Sequence, residues 1–249
     1  MEQDFLNQLK ATDEVFEGWD FSYVSETGRI ATSLLTWSYG SIVKSKMASA
    51  TSMLDMGTGG GELLSYLRPY PQHIKATEGY QPNVSIAKNR LEPLGVTVLP
   101  FEDDHDLPLE NEEFDFIINK HDSFDANEVN RILKSGGTFV TQQVGGDDCR
   151  EINEWFNVPV SYEGWNLEKA ENQLKEAGFR VVTAKEEFPT QRFFDLGALL
   201  YYLKAIPWQL EGWKQEDHQD ELYQIYLRMK KEGYIDVAQH RFLLICEKL

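Results

Sequence analysis

The feature that most constrains this chain is an alternation of short apolar runs with helix-patterned segments. The runs occupy 52–56, 74–78, 96–101, 114–119, 138–144, 179–187 and 241–247. Their length and their Val, Ile, Phe and Thr content mark them as strands. Segments 62–68, 82–94, 126–133 and 166–177 carry helical patterns between them, with Pro82 suited to a first turn and Gly178 to a C-terminal cap. Such alternation predicts a doubly wound α/β fold with a mostly parallel sheet covered on both faces. The pair Gly136–Gly137 predicts a turn ahead of the fifth strand.

Two regions break the rhythm. Residues 1–50 are rich in aromatics, among them Phe5, Phe16, Trp19, Trp37 and Tyr39, and are expected to form an N-terminal helical cap. Residues 189–238 are too long for a hairpin and are expected to be a helical insertion over the active face. The chain then reads as one domain over 1–249: the cap, a core of 51–188 and 239–249, and the insertion.

One loop points to a ligand. Leu54-Asp55-Met56-Gly57-Thr58-Gly59-Gly60-Gly61-Glu62 places a run of glycines between a strand and a helix. Glycines there permit positive φ and close approach of a ligand to the backbone. A phosphate-binding P-loop is excluded, because no Gly-Lys-Ser/Thr follows. The dinucleotide fingerprint fits poorly, since Glu62 or Leu64 stands where its third glycine belongs. Glu78 closes the second strand, where a carboxylate can accept a pair of ribose hydroxyls.

Here the sequence resembles the class I S-adenosylmethionine-dependent methyltransferases, nearest the type 11 group. LDMGTGGGELL is similar to the family's first motif, Glu78 to its second-strand acid, and FEDDHDLPLENEEFDFII to its third motif. RILKSGGTFV is similar to the family's turn and fifth strand. The resemblance runs over roughly 50–145 and implies a seven-stranded, Rossmann-like sheet of order 3-2-1-4-5-7-6 with the last strand antiparallel. It implies S-adenosylmethionine as cofactor, leaving S-adenosylhomocysteine as product. The contacts it implies are Asp55, Gly57, Thr58, Gly59, Gly61, Glu78, Gly79, Asp103, Asp104 and Asn119. A plain solvated acidic loop stays open for Asp103 and Asp104.

Catalytic groups belong outside the carboxyl ends of strands four and five. Strand four runs into Asn119-Lys120-His121-Asp122-Ser123. His121 is the candidate general base, because its ordinary pKa lies near neutrality, and Asp122 is its candidate orienting group. A histidine hydrogen-bonded to structure is the alternative. Gln142 and Gln143 end strand five, and the aromatics Trp155, Phe156, Tyr162, Trp165, Phe193, Phe194, Tyr201, Tyr202 and Trp208 are candidates to line a pocket.

Charge bears on the acceptor. With 41 acidic against 24 basic residues, the formal charge of −17 disfavours nucleic acid and anionic membrane as partners. The expected acceptor is a small molecule. RNA methylation, a nicotinamide-dependent oxidoreductase and a non-catalytic cofactor-binding protein are the competing readings. No metal-ligand spacing is present, two cysteines make no disulfide framework, and no apolar run reaches the roughly 20 residues of a membrane span. A cytoplasmic location is expected, and the oligomeric state is left open.

Overall fold

The computed structural model describes residues 2–16 and 20–249, so Trp19 lies outside the described residues. Ten strands follow in chain order: β1 (Ile30–Thr32), β2 (Ser52–Met56), β3 (His73–Glu78), β4 (Thr97–Pro100), β5 (Phe114–Lys120), β6 (Leu133–Val144), β7 (Phe179–Glu187), β8 (Thr190–Phe193), β9 (Ile235–Ala238) and β10 (Arg241–Lys248). The chain divides into two compact units. One holds Thr36–Val144, Asn166–Glu186 and Arg241–Leu249; the other holds Met1–Leu35, Gly145–Trp165 and Glu187–His240.

The first unit is built on a seven-stranded sheet of order β4-β3-β2-β5-β6-β10-β7. Counted along this sheet alone, that is 3-2-1-4-5-7-6. The pairs β2–β3, β2–β5, β3–β4 and β5–β6 are parallel, and β10 runs antiparallel to β6. The central strands are buried through both faces: Met53, Leu54, Ile117, Ile118, Phe139, Val140, Leu243 and Leu244 are each fully enclosed. Each contributes about 1.5–3 kcal/mol of transfer free energy. Helices Glu62–Tyr66, Gln81–Leu91, Ala126–Ile132 and Leu167–Glu176 connect the strands. Asp125 caps the third of these through Glu128 N at 2.8 Å, and Asn166 caps the fourth through Lys169 N at 2.9 Å. Helix Tyr39–Met47 also belongs to this unit, which moves its N-terminal boundary from residue 51 to Thr36.

The Gly136–Gly137 pair is a correction. It forms no turn ahead of β6 but an irregularity inside it, where Phe114 faces Leu133 and Phe116 faces Thr138. Gly136 carries the positive φ of 74° that this jog requires.

The second unit also departs from expectation, because it is not purely helical. Strands β1, β8 and β9 form a three-stranded antiparallel sheet. Arg192 of β8 grips Asp236 of β9 with two bonds of 2.7 Å and lies 3.5 Å from the Tyr234 ring centre. Helix Leu196–Ala205 is buried on nearly every side, so its pattern is apolar rather than amphipathic. Asp195 caps it through Ala198 N at 2.8 Å and takes Arg29 in a two-pronged ion pair of 2.6 and 2.8 Å. Phe5, Phe193, Tyr201 and Tyr202 pack in this unit's own core, with Phe16 and Phe21 against it. The aromatic density in these segments is therefore spent on packing. Tyr162, Phe194 and Trp208 are exposed.

The sheet unit has a sharp glycine test. Gly61 sits at φ 80°, and a Cβ there would lie 2.7 Å from Leu91 Cγ. Gly61→Ala should cost about 2–4 kcal/mol from backbone strain and overpacking. Urea unfolding would show the loss; an unchanged midpoint would mean the loop relaxes freely.

Candidate functional site

At the carboxyl end of β2 the chain turns through Gly57, Gly59 and Gly61, with φ of 70°, 62° and 80°. Thr77 of β3 fixes this turn: its hydroxyl accepts Gly57 N at 3.3 Å and its carbonyl accepts Thr58 N at 2.9 Å. Arg90 reaches across to the Gly60 carbonyl and the Glu62 carboxylate. Gly57 also makes room, since a Cβ on it would stand 1.8 Å from Asp122 Oδ2. The following helix, Glu62–Tyr66, has only five residues. What a ligand meets here is therefore the glycine turn rather than a long helix end, and the N–H groups of Gly57, Thr58, Gly59 and Gly61 are bonded within the protein.

Five acids belong to the ends of β2 and β3 and to the segments after β4 and β5. Asp55 is buried and accepts the Thr58 hydroxyl at 2.7 Å. Burial pushes its carboxyl up to about 6, against the pull of Thr58 and of Lys120. Glu78 is also buried; it accepts Tyr80 N at 2.8 Å and a backbone N–H of Gly59, and burial raises its pKa. Asp122 is half-buried, and burial together with the charges of Asp104, Glu78 and Asp55 pushes it up to about 7. Asp104 accepts the Ser123 hydroxyl. Asp103 is exposed and turned to His105, accepting its backbone N–H at 2.8 Å and facing its ring Nδ1 at 2.9 Å. Gly79 lies under Phe101, whose ring a Cβ would meet at 3.0 Å.

Asn119 requires a correction. It is fully buried, and its carboxamide is spent within the protein: Oδ1 accepts Thr141 Oγ1 at 2.8 Å and Gln143 Nε2 at 2.6 Å. Its Nδ2 donates to the Met56 carbonyl at 3.2 Å and the Ser123 carbonyl at 3.4 Å. It ties strand ends together and has no capacity left for a cofactor.

His121 differs from expectation as well. The Trp37 indole N–H donates to Gln142 Oε1 at 2.8 Å, and Gln142 Nε2 lies 2.9 Å from His121 Nε2. An indole only donates, so the Gln142 oxygen must face Trp37 and its NH2 must face the imidazole. His121 Nε2 is then an acceptor, and the ring proton sits on Nδ1. Crowding by protein and the charges of Arg241 and Lys120 hold the imidazole pKa well below its usual value. The residue keeps exposed surface, which weakens the desolvation share; the two cations act in the same direction. The structure thus presents a neutral histidine whose basic nitrogen is occupied and whose free nitrogen is a donor, not a ready general base. Gln142, rather than Asp122, orients it.

The sequence marked Gln142 and Trp37 without joining them, and it gave no role to Thr77, Arg90, Lys120 or Arg241. Register offers a signal in hindsight. Lys120 stands opposite Gln142, and Gln142 opposite Leu243, so all three share a sheet face, with Arg241 two residues further along β10.

The loop, the second-strand acid and the strand order converge on one class. Residues 54–141 match the model of a methyltransferase domain of the type 11 family. Two solved structures share the fold. One, from Bacillus halodurans C-125 and described as a proposed methyltransferase, is 16% identical with a TM-score of 0.61, covering 85% of this chain and 99% of its own. The other, the YcgJ protein of Bacillus subtilis, is 16% identical with a TM-score of 0.55, covering 84% and 97%. No curated protein matches the sequence. Residues 54–141 thus match a methyltransferase domain, and the chain shares its fold with structures described as methyltransferases. The match supports S-adenosylmethionine-dependent methylation over a nicotinamide-dependent oxidoreductase.

The residues suit that cofactor. Glycines leave a backbone cradle, and burial raises the pKa values of Asp55, Glu78 and Asp122 beside it, with neighbouring carboxylates adding to the rise at Glu78 and Asp122, as suits a cationic ligand. Two expectations follow. An unfolded aspartate ionises near pH 4, whereas Asp122 does so at about 7. Between those values the folded protein holds a proton that the unfolded chain has lost, so ligand-free stability falls as pH rises through this window. Asp122→Asn should remove that fall, gaining on the order of 1–3 kcal/mol at about pH 8 and nothing at about pH 4. Melting curves at the two pH values check it, and equal slopes for both proteins would refute it. Nitrogen NMR of labelled histidine should show His121 as the neutral Nδ1–H tautomer, with Trp37→Phe admitting the other tautomer. An Nε2–H signal in the parent protein would contradict the assignment.

Proposed function

We propose that this methyltransferase acts on a small-molecule acceptor in the cytoplasm. Charge is the observation that carries the acceptor size: 41 acidic against 24 basic residues oppose docking on a polyanion. Two free, buried cysteines, Cys149 and Cys246, suit a reducing compartment. Among the described residues no helix is long and apolar enough to cross a membrane.

S-adenosylmethionine, when bound, supplies a methyl group on a positive sulfonium that an in-line nucleophile can displace. In our reading Gly57, Thr58, Gly59 and Gly61 offer the backbone cradle, Glu78 accepts ribose hydroxyls, and Gly79 lets the chain pass close beneath Phe101. Asp55 and Asp122 place negative charge where a cation would be held. Asp104 and the exposed Asp103 remain candidates for the adenine end. Asn119 acts indirectly, by fixing the strand ends. His121 offers an N–H to orient the acceptor, so the acceptor brings its own lone pair, as a neutral amine, a thiolate or a carboxylate does. Positioning and exclusion of water then supply most of the rate.

Two measurements test this. Incubation with methyl-labelled S-adenosylmethionine and a cell extract should put label into the fraction that passes a small-pore ultrafilter; label retained with protein or RNA would overturn the small-acceptor reading. Glu78→Ala should weaken S-adenosylhomocysteine binding by about 1.5–3 kcal/mol in calorimetry, the loss of a charged hydrogen-bond pair. An unchanged affinity would remove Glu78 from the site.

A further inference from the structure

The glycine turn after β2 is tied from outside by Arg90, which lies near the end of helix Gln81–Leu91. Its Nη1 donates both to the Gly60 carbonyl and to Glu62 Oε1. The pair lies directly against the Gly60 Cα: a Cβ there would stand 2.3 Å from Glu62 Oε1 and 2.9 Å from Arg90 Nη1. The next N–H along, that of Gly61, donates to the Thr58 carbonyl at 3.0 Å. The Gly60–Gly61 peptide is therefore gripped at both ends, its oxygen by Arg90 and its nitrogen by Thr58. The Gly60 N–H differs from the others in the turn. Those of Gly57 and Thr58 bond to Thr77, that of Gly59 to Glu78 and that of Gly61 to Thr58. Gly60 is buried, yet its N–H has no bond among the described residues.

A buried backbone N–H without an acceptor is costly and rare, so one that stands in a ligand cradle is suited to donate to the ligand. Gly59, Gly60 and Gly61 are consecutive, and glycine offers little steric resistance to rotation of its peptide planes. Such a turn needs ties from outside to keep an N–H in one direction. The ion pair adds little to stability, because its side chains are 37% and 31% exposed. Its use lies in the geometry of the turn. We propose that Arg90 is a positioning residue of the cofactor site: anchored by Glu62, it stops the Gly60–Gly61 peptide from turning over and so keeps the Gly60 N–H ready for an acceptor atom of S-adenosylmethionine. This rests on the S-adenosylmethionine reading above and deepens it, since a residue beyond the glycine loop then sets how well the loop binds.

The test uses the full chain grown on glycine labelled with carbon-13 at the carbonyl and nitrogen-15 at the amine. Only amides that follow a glycine carry both labels across one peptide bond, namely Gly60, Gly61, Gly137 and Gly146. Without ligand, the parent protein should give sharp Gly60 and Gly61 signals. In Arg90→Met these two should broaden through microsecond-to-millisecond exchange while Gly137 and Gly146 keep their parent widths, and S-adenosylhomocysteine should sharpen them again. Calorimetry should find S-adenosylhomocysteine bound at least about tenfold more weakly by Arg90→Met. The ligand-free melting midpoint should stay within about 4 °C of the parent. Glu62→Gln, which removes the counter-charge from Arg90, should broaden the same two signals and weaken binding at least about threefold; it decides the matter if Arg90→Met does not fold. Sharp Gly60 and Gly61 signals in the folded variants overturn the proposal, as does an affinity within about twofold of the parent in Arg90→Met. Broadening of all four amides also overturns it, because Arg90 would then support the fold at large. Variants that bind as well as a binding-competent parent refute only this inference; failure of the parent to bind S-adenosylhomocysteine strikes the cofactor reading and this one together.

Discussion

The carboxamide of Asn119 holds the site in register. It is buried, and its four bonds reach the end of β2 at Met56, the loop after β5 at Ser123, and two side chains of β6, Thr141 and Gln143. The Tyr39 hydroxyl adds a bond to its backbone carbonyl at 3.0 Å. Those same strand ends carry Asp55, Lys120, His121, Asp122 and Gln142. A fully satisfied buried network of this kind specifies one arrangement, because any slip leaves several polar groups unpaired at about 1–3 kcal/mol each. Every distance in the site is downstream of that knot.

Electrostatics then divides the carboxyl edge into two fields. On the glycine-loop side burial raises the pKa values of Asp55, Glu78 and Asp122, and neighbouring carboxylates add to the rise at Glu78 and Asp122. On the β5–β10 side burial and the Arg241 charge lower the basicity of Lys120, and burial with both cations lowers that of His121. The acidic side suits the positive sulfonium of the proposed donor. Asp55 and Lys120 act on each other across the boundary, so binding on one side alters the charge balance felt on the other.

Much of this was legible in the sequence, for local reasons. The seven sheet strands announce themselves by length and apolar content, and Gly57, Gly59, Gly61 and Glu78 sit at strand ends where spacing alone locates them. The small sheet of β1, β8 and β9 was not legible. Its strands have three or four residues each, and Ile30 meets Phe193 only through long-range pairing that no local pattern encodes. Asn119 was misread because a polar residue at a strand end looks ligand-facing until its four partners are known. His121 was misread for a similar reason: its protonation site depends on Trp37, a residue distant in sequence that reaches it only through Gln142.

That chain of donors bears on the chemistry. An imidazole whose Nε2 accepts from Gln142 cannot take a proton there without expelling the amide, and the expelled NH2 would face a new cation beside Lys120 and Arg241. Both costs oppose proton abstraction by His121. A displacement at a sulfonium needs no base when the nucleophile already has a lone pair, and it benefits from a fixed line of approach. In the proposed reading, a neutral Nδ1–H that orients the acceptor supplies direction without competing for the methyl group. The residue that looked like the reacting group in the sequence is therefore better suited to aim the acceptor.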